Sequence, residues 1–195
     1  MKNIVATAVS LAFIALLVIL ATTSGTGLPV YGEVGAFKAV ERSGRAVTER
    51  DLAGRIWVAD FIFTHCAGPC PRMTANMAGL QKALSPEIRF VTFTVDPERD
   101  TPARMSEYAG TYGAEKERWF FLTMPWDDLY ALVADKFHLV ARKADDPKPG
   151  FEIIHSMKFA LVDRHGKIRG LYDGLDTDEL KRLAAESEKL LLTKE

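Results

Sequence analysis

The sequence predicts an α/β fold in which a central mixed sheet is flanked by helices and extended by an N-terminal β-hairpin. Three observations predict it. Short apolar runs rich in β-branched and aromatic residues alternate with segments of helical periodicity. The runs near the middle of the chain are continuously apolar, as strands of a parallel sheet are when both faces are covered. The last runs are joined only by Arg-His-Gly, which is typical of a hairpin.

The individual elements follow from local signals. A turn at Ser43 and Gly44 joins short strands within residues 34–47. The run IWVADFIF is the central strand, and the next helix begins at Pro71, where the missing N–H of proline costs nothing. The later elements are strand 88–95, helix 101–112, strand 118–123, helix 126–138, hairpin 157–173 and a helix capped by Asp176. Parallel crossovers followed by a terminal hairpin and helix form the thioredoxin-like arrangement.

Residues 1–27 predict a membrane anchor or signal segment with a linker, ahead of a domain at residues 28–195. Lys2 precedes residues 4–21, which carry no charge and are just long enough to cross a bilayer of about 30 Å. A positive charge ahead of the apolar run predicts that the domain is exported. An uncleaved anchor on the extracytoplasmic (periplasmic) side is favoured, and secretion after signal cleavage is the alternative.

Composition limits the possible partners. The formal net charge is −1, and no cluster of Lys and Arg is interleaved with aromatic residues. The sequence therefore does not favour nucleic acid as a partner. A chain of 195 residues can bury a core without disulfide staples, so the cysteines are available for chemistry.

The segment FTHCAGPCP holds both cysteines, Cys66 and Cys70, with three residues between them. They lie on the turn from the central strand into its helix, where N-terminal amides and the helix dipole lower the pKa of a thiol. A redox dithiol usually has one residue fewer in its loop. The longer loop can still close a disulfide, or it can hold a soft metal such as Cu(I) or zinc between the thiolates.

A metal would need a further ligand, and the chain has four histidines. His165 is interpreted as a solvated turn residue and His138 as a cation at a helix end. His65 adjoins Cys66, and its direction is left open. His155 precedes the strand MKFALVD, and in thioredoxin-like folds the loop entering this strand faces the cysteine loop. His155 is therefore the favoured third ligand.

Three segments together resemble the Sco (SenC) family of copper proteins: FTHCAGPCP, FTVDPERDTP and IIHSMKFALVDRHGKIRGLYDG. The resemblance spans residues 34–192. It implies a membrane-anchored thioredoxin-like domain that binds one copper ion, as Cu(I) or Cu(II), through Cys66, Cys70 and His155. It also implies a role in assembling the dinuclear copper centre of cytochrome c oxidase, whose copper-centre subunit or another copper chaperone would be the partner.

One departure from that pattern is visible. Many family members have an aspartate within the cysteine loop, whereas this loop reads Ala67-Gly68-Pro69 and carries no charge. The net charge and redox poise of the site are therefore expected to differ.

Other interpretations remain open at this point. Cys66 and Cys70 could form the redox-active dithiol of a thiol-disulfide reductase, with His155 tuning it, or could signal redox state to a partner. A peroxidase is disfavoured because the proline of its usual cysteine motif is missing. Asp96 is either a neighbour of Cu(II) or a turn residue.

Two further expectations concern the surroundings of the site. Met73 and Met77 share a helical face with Leu80 and Leu84, which predicts core packing rather than metal binding. We also expect the loop at residues 145–150 to be mobile, so that His155 can move on and off the metal.

Overall fold

The computed structural model describes residues 27–193, and its centre is a sheet of eight strands. The strands of the chain are β1 (Gly32–Glu33), β2 (Lys38–Glu41), β3 (Ala46–Thr48), β4 (Trp57–Ile62), β5 (Arg89–Thr94), β6 (Trp119–Thr123), β7 (Ala141–Lys143), β8 (Ile153–His155), β9 (Lys158–Val162) and β10 (Lys167–Asp173). Strands β7 and β8 pair separately as a two-stranded ribbon. The helices are α1 (Cys70–Ala83), α2 (Pro102–Thr111), α3 (Trp126–Ala131) and α4 (Thr177–Leu192).

The order of strands in the sheet is β1-β10-β9-β4-β5-β6-β2-β3. Strands β4, β5 and β6 are parallel, and α1 and α2 supply the crossovers between them. The hairpin β9–β10 pairs antiparallel with β4, and the N-terminal hairpin β2–β3 pairs antiparallel with β6. The predicted α/β thioredoxin-like fold with a mixed sheet is therefore confirmed.

The core surrounds strand β4, all of whose residues are buried. The Phe61 ring stacks on Phe93 of β5 with centroids 5.5 Å apart, and Phe137 meets it edge-on at 5.1 Å. Full burial of a side chain of this size stabilises the folded state by about 1.5–3 kcal/mol. Because β4 is fixed on both faces and both edges, the loop that leaves its carboxyl end starts from a rigid position.

Three local features differ from the sequence prediction. Helix α3 is short and continues as a π-helical turn, Leu132–Lys136. Strand β1 adds an edge next to β10. The ribbon β7–β8 was not predicted, because three-residue strands carry too little periodicity to be recognised. The face of α1 that carries Met73 and Met77 is buried, which confirms their assignment to the core.

The predicted membrane or signal segment at residues 4–21 lies outside the described residues. Within residues 27–193, no helix combines the length and the apolar character needed to cross a bilayer.

Candidate metal centre

The cysteine loop leaves the end of β4 and leads into α1. Cys70 is the first residue of α1, so the helix begins one residue before the predicted Pro71, with Pro69 at its N-cap. The backbone N–H of Cys66 donates to the carbonyl of Phe63 at 3.3 Å, and the Gly68 N–H donates to Cys66 Sγ at 3.3 Å. Both cysteines are free thiols and both are buried. The loop therefore holds both sulfur atoms below the surface, and Cys66 lines a shallow cavity there.

His155 ends strand β8 and points its ring at the thiols. Its Nε2 lies 3.2 Å from Cys70 Sγ. Its Nδ1 lies 3.1 Å from the carbonyl oxygen of Ser156, which can only accept, so Nδ1 carries the proton of the neutral ring. The Phe63 ring packs edge-on against the imidazole, with centroids 5.7 Å apart. The Nε2 lone pair is thereby directed at the sulfur atoms.

Cys66, Cys70 and His155 each offer one ligand atom, and these atoms all lie within 4.8 Å of one another. Within residues 27–193 they form the one such group of three. The donor set is two thiols and one imidazole, with no carboxylate, which suits a soft transition-metal ion. The residues present thus fit a copper ion, and no movement of the backbone is needed to bring the ligand atoms together.

The two thiols differ in acidity. The pKa of Cys66 is lowered to about 4, first because Cys70 donates a hydrogen bond to its thiolate and then because the backbone N–H groups of Cys70 and Gly68 add to the effect. The pKa of Cys70 is raised, first because its proton is held in that bond and then by burial. The sequence predicted a lowered pKa for this helix-terminal pair. That prediction is wrong for Cys70, because the neighbouring thiolate outweighs the helix dipole.

Asp60 is a buried carboxylate beneath the site. It lies on β4, opposite Thr92 of β5 in register, and is 0% exposed. Neither carboxylate oxygen has a hydrogen bond of normal geometry among the described residues. Burial raises its pKa to about 7; of the groups that favour its charged form, Thr92 contributes most and His155 next. The sequence analysis missed this residue because one acidic side chain in an apolar run does not reveal its burial.

Asp100 anchors the start of the cysteine loop. Its carboxylate accepts from the Thr64 N–H at 3.0 Å, from the Thr64 hydroxyl at 2.6 Å and from the Thr94 hydroxyl. The sequence analysis quoted Asp100 within VDPERDTP but gave it no role. Asp100 is buried, and these three hydrogen bonds satisfy its carboxylate, which explains how an acidic residue can occupy this position.

His65 does not join the thiols. Its Nε2 lies 3.2 Å from Glu152 Oε2 and 3.7 Å from Asp96 Oδ2, and Arg99 bonds to it. The backbone carbonyl of Asp96 accepts from the backbone N–H groups of Arg99 and Asp100, as that of a turn residue does. Hydrogen bonding from Arg99 lowers the pKa of Glu152 to about 2, and burial raises that of Asp96. The contacts of His65 with Glu152 and Arg99 tie the cysteine loop to the residue just before β8, and none of the three lines the cavity beside the thiols.

The other histidines lie elsewhere, as expected. His165 is exposed in the β9–β10 turn. His138 is exposed just after the π-helical turn and has a left-handed backbone with φ of 54°.

The cysteine loop and the ribbon are in close contact. The Ala67 N–H donates to the Gly150 carbonyl at 3.1 Å. A Cβ on Gly150 would lie 2.5 Å from Ala67 Cβ, and Gly150 has φ of +81°. A Cβ on Gly68 would lie 3.1 Å from the Phe151 ring. Glycine at these two positions allows the ribbon to approach the thiols.

Comparison with known proteins agrees with this geometry. The family model described as SCO1/SenC matches residues 29–191. The SCO1 protein homolog of Bacillus subtilis (strain 168) is 35% identical over 152 residues, which cover 76% of this chain and 77% of the relative.

Solved structures show the same fold. BsSco, described as a member of the Sco family of cytochrome c oxidase assembly proteins with a disulfide switch, superposes with a TM-score of 0.75 at 29% identity, covering 86% of this chain and 99% of BsSco. ScoI of Bradyrhizobium japonicum, solved with copper bound, has a TM-score of 0.67 at 24% identity, covering 80% of this chain and 98% of ScoI. The last similarity concerns the fold alone.

Proposed function

Since this chain belongs to the SCO1/SenC family, we propose that it is a copper metallochaperone that binds one copper ion through Cys66, Cys70 and His155. The observation that carries the proposal is the grouping of two free thiols and one imidazole nitrogen within 4.8 Å. Thiolates select copper in its lower oxidation state, and imidazole suits both Cu(I) and Cu(II).

Each residue has a distinct role in loading. Cys66 is a thiolate near neutral pH, because its pKa is lowered to about 4, so it offers the first anionic ligand. Cys70 lies deeper and binds only after its proton leaves, so loading releases a proton. His155 supplies its Nε2 lone pair without a change of charge, because its Nδ1 proton is bonded to the Ser156 carbonyl.

Delivery would proceed by exchange of ligands. A copper ion held by three protein atoms would keep an open side toward the cavity. A thiolate or imidazole of the recipient could bind the ion there before His155 dissociates from it. We infer that the recipient is the copper-centre subunit of cytochrome c oxidase or another copper chaperone. The description of the similar protein BsSco as a cytochrome c oxidase assembly protein supports this direction.

The location of the protein is part of the proposal. We propose that residues 4–21 anchor the chain and that the domain at residues 28–195 works on the extracytoplasmic side, with secretion after cleavage as the alternative. The apolar run behind Lys2 supports export.

A second candidate function is thiol-disulfide reduction at a copper-accepting protein. The contrast between an acidic Cys66 and a protonated, buried Cys70 favours it, because such a pair has one attacking and one resolving thiol. The roles differ in their need for His155: metal binding requires its nitrogen, whereas dithiol exchange tolerates its loss.

The test is anaerobic copper binding by the reduced full-length chain in mild detergent. Wild type, His155→Ala and a Cys66→Ser/Cys70→Ser double variant are compared for copper stoichiometry, Cu(I) affinity against a chelator, and thiolate-to-Cu(II) charge-transfer absorption. We expect one copper per wild-type chain. Loss of His155 should weaken binding by more than the roughly 10- to 100-fold that loss of an outer-shell partner costs.

Wild-type binding no stronger than that of the double variant would reject the copper proposal. Retained disulfide exchange in that case would leave the reductase as the better account. His138→Ala is the matched control, since that exposed imidazole lies outside the group.

A further inference from the structure

Met157 differs from the other described methionines. Met73, Met77, Met105 and Met124 are 0–4% exposed and belong to the core, whereas Met157 is 40% exposed. Among residues 27–193 it is the only methionine that is not buried. Core packing therefore does not explain why a methionine occupies this position.

Met157 lines the cavity that leads to the metal site. A cavity of about 150 Å³ is bounded by Cys66, His155 and Met157 together with apolar residues of the cysteine loop and the ribbon. Met157 follows His155 by two positions, on the short link between β8 and β9. Its side chain thus shares one opening with two of the proposed ligands.

The backbone at this position is fixed. The carbonyl of Met157 accepts from the Gly174 N–H at 2.8 Å, and the preceding Ser156 N–H donates to the Val140 carbonyl at 2.8 Å. A Cβ on Gly174 would lie 3.0 Å from the Met157 carbonyl oxygen, so the two segments are in contact. The flexible thioether is therefore carried by a stationary backbone at the side of the cavity.

We propose that Met157 is an outer copper ligand, whose sulfur contacts Cu(I) at the mouth of the site, both in the loaded protein and as the ion enters or leaves. The inference rests on the proposed copper function of the same site. Exposure increases outward from Cys70 at 0% through Cys66 at 7% to Met157 at 40%. The three sulfur-bearing residues therefore lie at different depths, and each sulfur is a soft ligand atom.

A thioether suits this position chemically. It is neutral, binds Cu(I) through sulfur and has no proton to lose, so it can accept and release the ion without acid-base chemistry. Cu(I) would pass from the Met157 sulfur to the Cys66 thiolate by exchange of one Cu–S contact for another, with no change in oxidation state. Replacing Met157 should therefore affect Cu(I) more than Cu(II).

The direct test uses selenomethionine. Copper-edge X-ray absorption of the Cu(I)-loaded full-length chain distinguishes a Cu–Se contact from Cu–S contacts. We expect a Cu–Se contribution in the labelled wild type and its loss in labelled Met157→Leu. Labelled Met124→Leu, at a buried core position, is the matched control and should retain it.

Affinity and transfer give a second readout. We expect Met157→Leu to bind Cu(I) roughly tenfold more weakly, at the lower end of losses from supporting groups at metal sites, and to release it to a chelator at a changed rate. Binding of Cu(II) should remain near that of wild type.

The outcomes separate this inference from the proposed function. A wild type that holds no copper rejects the function. A wild type that holds copper, shows no Cu–Se contribution and matches Met157→Leu in Cu(I) affinity rejects the role of Met157 and leaves the three-ligand site standing. Since the Cu–Se contribution is measured on the wild type, this result does not depend on whether a variant folds correctly.

Discussion

Cys70 Sγ lies 3.2 Å from Nε2 of His155, although 85 positions separate the two residues in the chain. The contact joins the first turn of α1 to the ribbon β7–β8, which forms no hydrogen-bonded strand pair with the main sheet. The site therefore depends on how the ribbon packs against the cysteine loop, and several predictions can be made from that packing.

Alkylation should distinguish the two thiols of the reduced apo protein. Because the pKa of Cys66 is lowered to about 4, its thiolate persists at every pH well above that value. We expect Cys66 to react with iodoacetamide at a nearly constant rate between about pH 6 and 8. Cys70, whose pKa is raised, should remain unmodified. Mass spectrometry of peptides from the quenched reaction measures both rates.

The unfolded chain provides the control, since its thiols should react faster as the pH approaches the ordinary value of 9.0. A Cys66 rate that rises with pH in the folded protein as steeply as in the unfolded chain would contradict the assignment.

Asp60→Asn should remove a pH-dependent loss of stability. The pKa of Asp60 in the folded protein, about 7, lies above its ordinary value of 3.8, so the folded state binds the proton more tightly than the unfolded state does. The contribution of Asp60 to the free energy of unfolding is therefore fully present below pH 3.8 and is lost as the pH rises to 7. At about 1.4 kcal/mol for each pKa unit, the loss is at most about 4 kcal/mol.

Urea unfolding of the reduced apo protein at several pH values measures this effect. Wild type should lose stability from pH 4 to 7 relative to Asp60→Asn. The exposed Asp135→Asn should follow wild type. Parallel curves for wild type and Asp60→Asn would show that Asp60 is ionised in the folded protein throughout.

Gly150→Ala should separate the ribbon from the cysteine loop. The added methyl group would lie 2.5 Å from Ala67 Cβ, at a backbone φ of +81° that disfavours a side chain. We expect a loss of about 1–3 kcal/mol in the free energy of unfolding and weaker copper binding, since His155 would be displaced. Urea unfolding and chelator competition measure the two effects.

Gly79→Ala is the matched control, because the Cβ meets no atom within 4 Å on the exposed side of α1. It should raise stability by roughly 0.5–1 kcal/mol through helix propensity and leave copper binding unchanged. Equal copper affinities in the two glycine variants would mean that the contact between Ala67 and Gly150 does not position His155.

Hydrogen exchange should reveal whether the ribbon moves with copper. We expect amides at residues 144–155 to exchange more slowly in the copper-loaded protein, because the ion would hold His155 and the ribbon to the thiols. Informative amides are those of Ala144 and Phe151, which donate to the carbonyls of Glu152 and Lys148. Amides of β4 and β5 serve as the internal reference. Equal protection of 144–155 with and without copper would reject a mobile loop.

The sequence was sufficient for most of the architecture and for placing His155 beside the two cysteines. The apolar run around Phe61 and the helical spacing of Met73 and Met77 are local patterns. The structure confirms that the first forms a buried strand and that the two methionines lie on the buried face of α1. His155 was selected because a known topology brings the entrance of β9 to the cysteine loop.

Other features could not be predicted because they depend on contacts between distant segments. The acidic side chains of Asp60 and Asp100 look alike in the sequence. Among residues 27–193, however, the Asp60 carboxylate has no hydrogen bond of normal geometry, whereas that of Asp100 accepts three. The acidity of Cys66 arises from its neighbour Cys70 rather than from helix position alone. The direction of His65 is set by Glu152 and Arg99, which lie far along the chain.

The uncharged loop Ala67-Gly68-Pro69, with the Phe151 ring against Gly68, has a consequence for ion selectivity. Of the residues that the structure describes, those lining the cavity beside it carry sulfur, imidazole and apolar groups and no carboxylate. Magnesium and calcium ions require several oxygen ligands and surrender bound water reluctantly. Because the side chains that line this cavity offer no oxygen ligands to replace bound water, the opening disfavours these abundant ions.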